Sequence, residues 1–237
     1  MGTIVKATSY QLTLFRSQSW ICLAIIVLNI LISVTVSYLF PSSGISAGSS
    51  DMIAVIWIFI LGLLSFAPSF KFMLANAVSR KSLFWANIFS MVILSVAWAV
   101  AMTLVISFIN RMNLKMIVVY PLIYKGSSTM GTVVWFSGMF FLLIVLGWFI
   151  TMAYYRSNKL MIFVISLAPF VIAGLFTIIN QMTGGKLFDF MINFIVTAMG
   201  FSGSIPNPYI GSFSMLVITV ILCVLNYLLI RKTQIKE

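Results

Sequence analysis

Six long apolar runs leave this chain few folds to choose from. They lie at about 20–40, 52–68, 83–109, 132–155, 160–180 and 209–230, and no charged residue falls within any of them. In lipid every backbone N–H and C=O must be bonded internally, so runs of this length become helices. The alternation of apolar and polar residues that marks a membrane barrel is absent. The composition agrees: 62% of residues are hydrophobic and 7% charged, with a mean hydropathy of +1.16. A soluble domain carries about 25% charged residues. The bilayer is therefore the expected solvent, and residues 1–237 are read as one all-α transmembrane domain with six transmembrane helices.

The segments between the runs carry the individuality. Residues 1–19 hold Lys6 and Arg16 and a weak apolar face at Ile4, Ala7, Gln11, Leu14 and Phe15, which reads as an interfacial helix before the first span. That first run exceeds the ~7–15 residues of a signal-peptide core. Residues 41–50, PSSGISAGSS, form a loop without a base. Residues 69–82 carry Lys71, Arg80 and Lys81 and no acid. Between Lys71 and Arg80, Phe72, Met73, Ala75, Ala77 and Val78 suit a short amphipathic helix, with Pro68 before it and Ser79-Arg80-Lys81 closing it. Met116–Tyr124 is apolar but too short to cross, and Pro169 and Gly174 lie inside the fifth run. Residues 187–199 are apolar apart from Asp189, Asn193 and Thr197, and a stretch of ~10–14 reads as a re-entrant or interfacial helix.

Counting bases orients the spans. With both termini cytoplasmic, the inside holds Lys6, Arg16, Lys71, Arg80, Lys81, Arg156, Lys159, Arg231, Lys232 and Lys236. The outside holds Arg111, Lys115, Lys125 and Lys186. Ten against four favours this orientation.

Several chemistries are excluded. The net charge of +11 arises from bases flanking apolar runs, where they meet lipid headgroups, and no continuous basic stripe suggests nucleic acid. Cys22 and Cys223 sit inside apolar runs without a CxxC neighbour, and there is no histidine. Gly184-Gly185-Lys186 lacks the first glycine and the Ser or Thr of a phosphate loop. Gly200-Phe201-Ser202-Gly203 is similar to the serine motif of rhomboid proteases but has no histidine to activate it. The only glutamate is Glu237, so paired metal ligands and acid–base pairs are missing. No catalytic, metal-ligating or cofactor-binding residue is expected. Among the polar residues within spans, Asn29, Asn87, Ser95, Asn180 and Asn226 are suited to bonds between helices or to lining a substrate path. Gly138 and Gly147 would permit close helix packing, without GxxxG spacing to single out a dimer face. No charge lies in mid-span to relay an ion, so energy for transport would come from elsewhere.

In layout, and locally in Leu74-Ala75-Asn76-Ala77-Val78-Ser79-Arg80-Lys81-Ser82-Leu83-Phe84, the chain resembles the membrane subunit of an ATP-binding-cassette exporter of the type-2 permease class. Ala77 stands where glycine is commoner in such proteins, and the acid many of them place early in the coupling helix is missing. The resemblance implies that a separate cassette ATPase, carrying ATP and magnesium, grips a coupling helix at 69–82. Lys71, Phe72, Met73, Asn76, Val78, Ser79, Arg80 and Lys81 would make the contact. A second permease, identical or related, is implied as partner, in a bacterial plasma membrane. The implied activity is efflux of an amphipathic or lipophilic substrate such as a membrane-active peptide, antibiotic or lipid. Two other readings stand beside it. One is the substrate-capturing membrane subunit of a vitamin importer, and the other a non-transporting immunity or scaffold protein.

Overall fold

The structure, a computed structural model, describes residues 2–39, 49–65, 67–112, 117–126, 128–203 and 205–232. Most of the 41–50 loop, Lys115, Met116, Lys236 and Glu237 lie outside the described residues. The described elements are helical: α1 (Gly2–Leu39), α2 (Ser50–Leu64), α3 (Ala67–Ala75), α4 (Arg80–Arg111), α5 (Val119–Ile123), α6 (Thr129–Arg156), α7 (Lys159–Met182), α8 (Lys186–Ala198) and α9 (Pro208–Lys232). Among them α1, α4, α6, α7 and α9 are long and apolar enough to cross a membrane. Large apolar side chains such as Leu104, Phe163 and Phe213 are more than half exposed on these helices. Such a surface is uncoverable in water and ordinary in lipid. The chain is an all-α protein of the membrane.

Helix α2 is apolar but has 15 residues. At 1.5 Å per residue that is about 22 Å, short of the ~30 Å hydrocarbon core. The Ser65 hydroxyl donates to the Gly62 carbonyl at 2.7 Å and closes the helix there. Pro68, the second residue of α3, has no N–H with which to continue the ladder.

Helix α1 also differs from the sequence reading, which divides it near residue 19. It runs unbroken from Gly2, because no glycine or proline interrupts Thr3 to Leu39. One stripe of Ala7, Gln11, Phe15, Cys22, Ile26 and Ser33 is buried along its length. The Gln11 amide donates to Asn87 Oδ1 at 2.7 Å, and Trp98 Nε1 donates to Ser19 Oγ at 3.4 Å. Residues 2–19 thus lie lengthwise along α4, parallel to it. Helix α2 runs antiparallel to α1, with Trp57 Nε1 donating to the Gln18 carbonyl at 3.2 Å and Ser50 Oγ to Asn29 Oδ1 at 3.1 Å.

Helix α6 is the axis of the bundle, packed against α2, α4 and α9. Its Trp135, Phe136, Phe140, Ile144, Val145, Trp148 and Met152 are buried. Two glycines let α2 approach it. A Cβ on Gly147 would lie 2.6 Å from the Phe59 carbonyl oxygen, and one on Gly62 would collide with the Ile144 carbonyl. Gly138 faces Ser212 of α9. The small residues are therefore spent inside the chain. Gly138 and Gly147 were visible in the sequence, but their partners were not.

This arrangement creates two ends. One gathers the start of α1, the ends of α2, α6 and α9, helix α3 and the start of α4. It is called the basic end below, for Arg80, Lys81, Arg156 and Arg231. The other gathers the starts of α2, α6 and α9 with α5. There Asp51, 4% exposed, accepts from the Val119 N–H at 2.8 Å and the Tyr120 N–H at 3.3 Å through Oδ2. Its Oδ1 accepts from Ser49 Oγ and from the Met52 N–H. Beside it Tyr124 donates to the Met199 carbonyl at 2.7 Å, and burial pushes its phenol above the usual tyrosine value.

Helices α7 and α8 stand apart, with none of their described side chains buried. The Tyr154 hydroxyl meets Ser166 Oγ at 2.8 Å, and the Phe188 N–H donates to Asn180 Oδ1 at 3.0 Å. Helix α8 ends at Gly200, whose φ of +81° and contact with the Asn207 carbonyl admit no side chain.

Candidate functional site

The basic end is built around the junction of α3 and α4. Helix α3 is nine residues long and ends in a left-handed cap. Ala77, at φ 56°, donates its N–H to the Leu74 carbonyl at 3.0 Å, and the Val78 N–H reaches the Met73 carbonyl at 3.1 Å. Both bonds satisfy carbonyls that a helix end otherwise leaves open. The chain then turns straight into α4. Ser79 is extended, at φ −64° and ψ 148°, and its hydroxyl accepts from the Ser82 N–H at 3.1 Å as the N-cap. The Ser79-Arg80-Lys81 stretch that the sequence reading places at a helix end opens the next helix instead.

The left-handed residue is Ala77, in a conformation that ordinarily favours glycine. A non-glycine residue there costs roughly 1–2 kcal/mol. Replacing Ala77 with glycine is expected to stabilise the folded chain by about 1 kcal/mol, and Ala77→Val to destabilise it. Thermal unfolding of the purified protein in detergent checks both signs.

The junction is tied to three long helices. Phe70, fully buried, meets Tyr155 of α6 edge-on with ring centroids 5.8 Å apart. Phe72 stacks on Tyr10 of α1 at 4.7 Å and 17°. Arg80 Nη1 donates to the Arg231 carbonyl, in the last turn of α9, at 2.7 Å. A charge-assisted bond of this kind satisfies a helix C-terminal carbonyl.

Of the eight residues expected at a partner contact, Asn76, Ser79, Arg80 and Lys81 are exposed, and Phe72 is half exposed. Val78 is half-buried, and Met73, 3% exposed, faces the bundle. The side chain of Lys71 lies outside the described residues. A depression of about 530 Å³ lies beside the stacking contact of α1 and α3, lined by Lys6, Tyr10, Phe72, Asn76 and Val78 among others. Arg80, Lys81 and Arg231 form no ion pair with any described residue.

The asparagines do not gather into a path. Asn29 binds Ser50 and Asn87 binds Gln11, while Asn226 Nδ2 donates to the Val145 carbonyl at 3.4 Å. These three join α1 to α2, α1 to α4 and α9 to α6. Asn180 holds the α7–α8 turn, and Ser95 bonds within its own helix to Val92. Asn87 Nδ2 and Asn226 Oδ1 are buried without a hydrogen-bond partner among the described residues.

Sequence reasoning missed the clasp between Arg80 and α9, the anchoring role of Phe70 and the Asp51 link. The first joins residues 151 apart. No local pattern signals such a pairing, although a lone aspartate at the start of an apolar run was visible. Models of known protein families, curated proteins and solved structures give no match to this chain.

Proposed function

We propose that this chain is the membrane-spanning subunit of an ATP-driven exporter, moved by a separate cassette ATPase that grips the α3–α4 junction. Hydrolysis of ATP, with its magnesium, belongs to that partner. In this reading α2 counts as the second of six spans, α8 is the re-entrant or interfacial helix before the last, and both termini are cytoplasmic. A second permease completes the pathway in a bacterial plasma membrane. The cargo is an amphipathic or lipophilic molecule such as a membrane-active peptide, antibiotic or lipid.

One observation carries the reading. A single exposed cationic knuckle is fastened to α1, α6 and α9 at once, through Tyr10, Tyr155 and the Arg231 carbonyl. A force applied to Phe72, Asn76, Arg80 and Lys81 would reach three long helices through packed rings and one charge-assisted bond. Close-packed contacts transmit displacement because they resist compression. Cationic residues at the rim also suit an acidic partner surface.

The test is affinity capture of the tagged chain from its own membranes, scored for a co-eluting cassette ATPase and for ATP hydrolysis. The Arg80→Glu, Lys81→Glu double variant is expected to lower ATPase recovery by about tenfold or more, since reversing charge at a complementary rim costs several kcal/mol. Gel filtration shows whether that variant is folded, and Arg80→Gln, Lys81→Gln should fall between. Unchanged recovery and unchanged efflux in the reversed variant would overturn the proposal.

A further inference from the structure

Two hollows adjoin at the basic end where α4 meets α9. The outer one, about 450 Å³, is lined by Ser79, Arg80, Lys81, Tyr227, Ile230 and Arg231. The inner one, about 670 Å³, runs between the helices past Phe84, Trp85, Ile88, Phe141, Val220 and Val224. Lys81 and Tyr227 line both. The outer part is cationic and has no acid in its lining among the described residues. The inner part is apolar and aromatic, and Phe84 meets Tyr227 edge-on at 5.1 Å.

From the shared inference of charge and shape we propose that this cleft holds one anionic phospholipid, its phosphate between Lys81 and Arg231 and an acyl chain along the groove. The dimensions fit. Lys81 and Val92, both in the lining, are eleven residues apart on α4. That is about 16 Å along the helix axis, close to half of the ~30 Å hydrocarbon core. A chain entering at the basic end therefore reaches the middle of the bilayer within the groove. Of the cations in the lining, Arg80 is held in place by its bond to the Arg231 carbonyl, which leaves the Lys81 and Arg231 side chains for the phosphate. Neither Lys81 nor Arg231 is neutralised by a described carboxylate. A phosphate would supply that charge while its lipid tail covers aromatic surface that includes Trp85, 49% exposed.

Native mass spectrometry of the full-length chain, without any ATPase, tests this. The protein is equilibrated in detergent with equal amounts of phosphatidylglycerol and phosphatidylcholine. Phosphatidylglycerol is expected to be retained in preference by about tenfold, the effect of one to two cations near an anionic headgroup. Lys81→Gln with Arg231→Gln should reduce the preference to parity. Val224→Trp should reduce retention of phosphatidylglycerol with the unfolding temperature unchanged, since Val224 is 54% exposed and added bulk enters the groove rather than the core. Glycerol 3-phosphate, which has the charge without the tails, should not displace the lipid. Equal retention of the two lipids by the parent chain would overturn the proposal. So would a preference that survives both variants, or displacement of the lipid by glycerol 3-phosphate.

Discussion

Leucine at Gly147 is expected to prevent recovery of a folded, monodisperse protein. Even alanine there would bring a Cβ to 2.6 Å from the Phe59 carbonyl oxygen and 2.8 Å from the Leu63 nitrogen. Both are backbone atoms of α2 and have no rotamer through which to yield. The helices would have to part. In lipid little besides packing and hydrogen bonds opposes that, because the tails are as apolar as the side chains. Gly147→Ala and Gly62→Ala are each expected to cost about 1–3 kcal/mol, the usual range for overpacking, and leucine more. The two should be less than additive, because a Cβ on Gly147 would also lie 2.9 Å from the Gly62 carbonyl carbon. Gly174→Ala is the control. A Cβ at that position of α7 meets nothing within 4 Å, so the change should leave stability unaltered or raise it slightly. Thermal unfolding in detergent separates these variants. An unchanged midpoint for Gly147→Leu would mean that α2 and α6 do not cross at these glycines.

Alanine at Asp51 is the second large loss. The carboxylate accepts two N–H groups from the start of α5, one N–H from its own helix and the Ser49 hydroxyl. Hydrogen bonds to a charged group are worth about 1.5–3 kcal/mol each, and a stranded buried N–H costs about 1–3 kcal/mol. Asp51→Ala is expected to destabilise the protein by about 3 kcal/mol. Asp51→Asn, which keeps an acceptor oxygen, should lose less. Hydrogen exchange locates the effect. The amides of Val119 and Tyr120 should lose protection first in Asp51→Ala, while those in the middle of α6 keep theirs. Uniform loss along α6 would show that the aspartate supports the whole bundle rather than the seat of α5.

The helices themselves were legible because each long apolar run ends at a polar or basic cluster. The starts of α4 and α7 lie within three residues of the sequence reading. Helix α1 was not legible as one piece. Polar residues such as Gln11 and Arg16 suggested a change of environment, whereas the backbone keeps its helix wherever no breaker occurs. The stretch at 69–82 was visible as a cationic interruption with apolar spacing. Which of its apolar side chains turn inward was not. Met73 and Phe70 are buried and Phe72 half exposed because of where α1 and α6 stand, and neither helix is near in sequence.

From the order of residues alone came the solvent, the helical class and the charge asymmetry between the ends. Each follows from short-range physics: an apolar run in lipid must close its own hydrogen bonds, and a base must stay near water. Only the tertiary arrangement decided that Gly62 and Gly147 meet, that Asp51 holds the start of α5, and that Lys81 and Arg231 share one mouth of a cleft. Those pairings join residues far apart in the chain, 68 positions even for Asp51 and Val119. They depend on which helices become neighbours, and no periodicity within one helix encodes its neighbour.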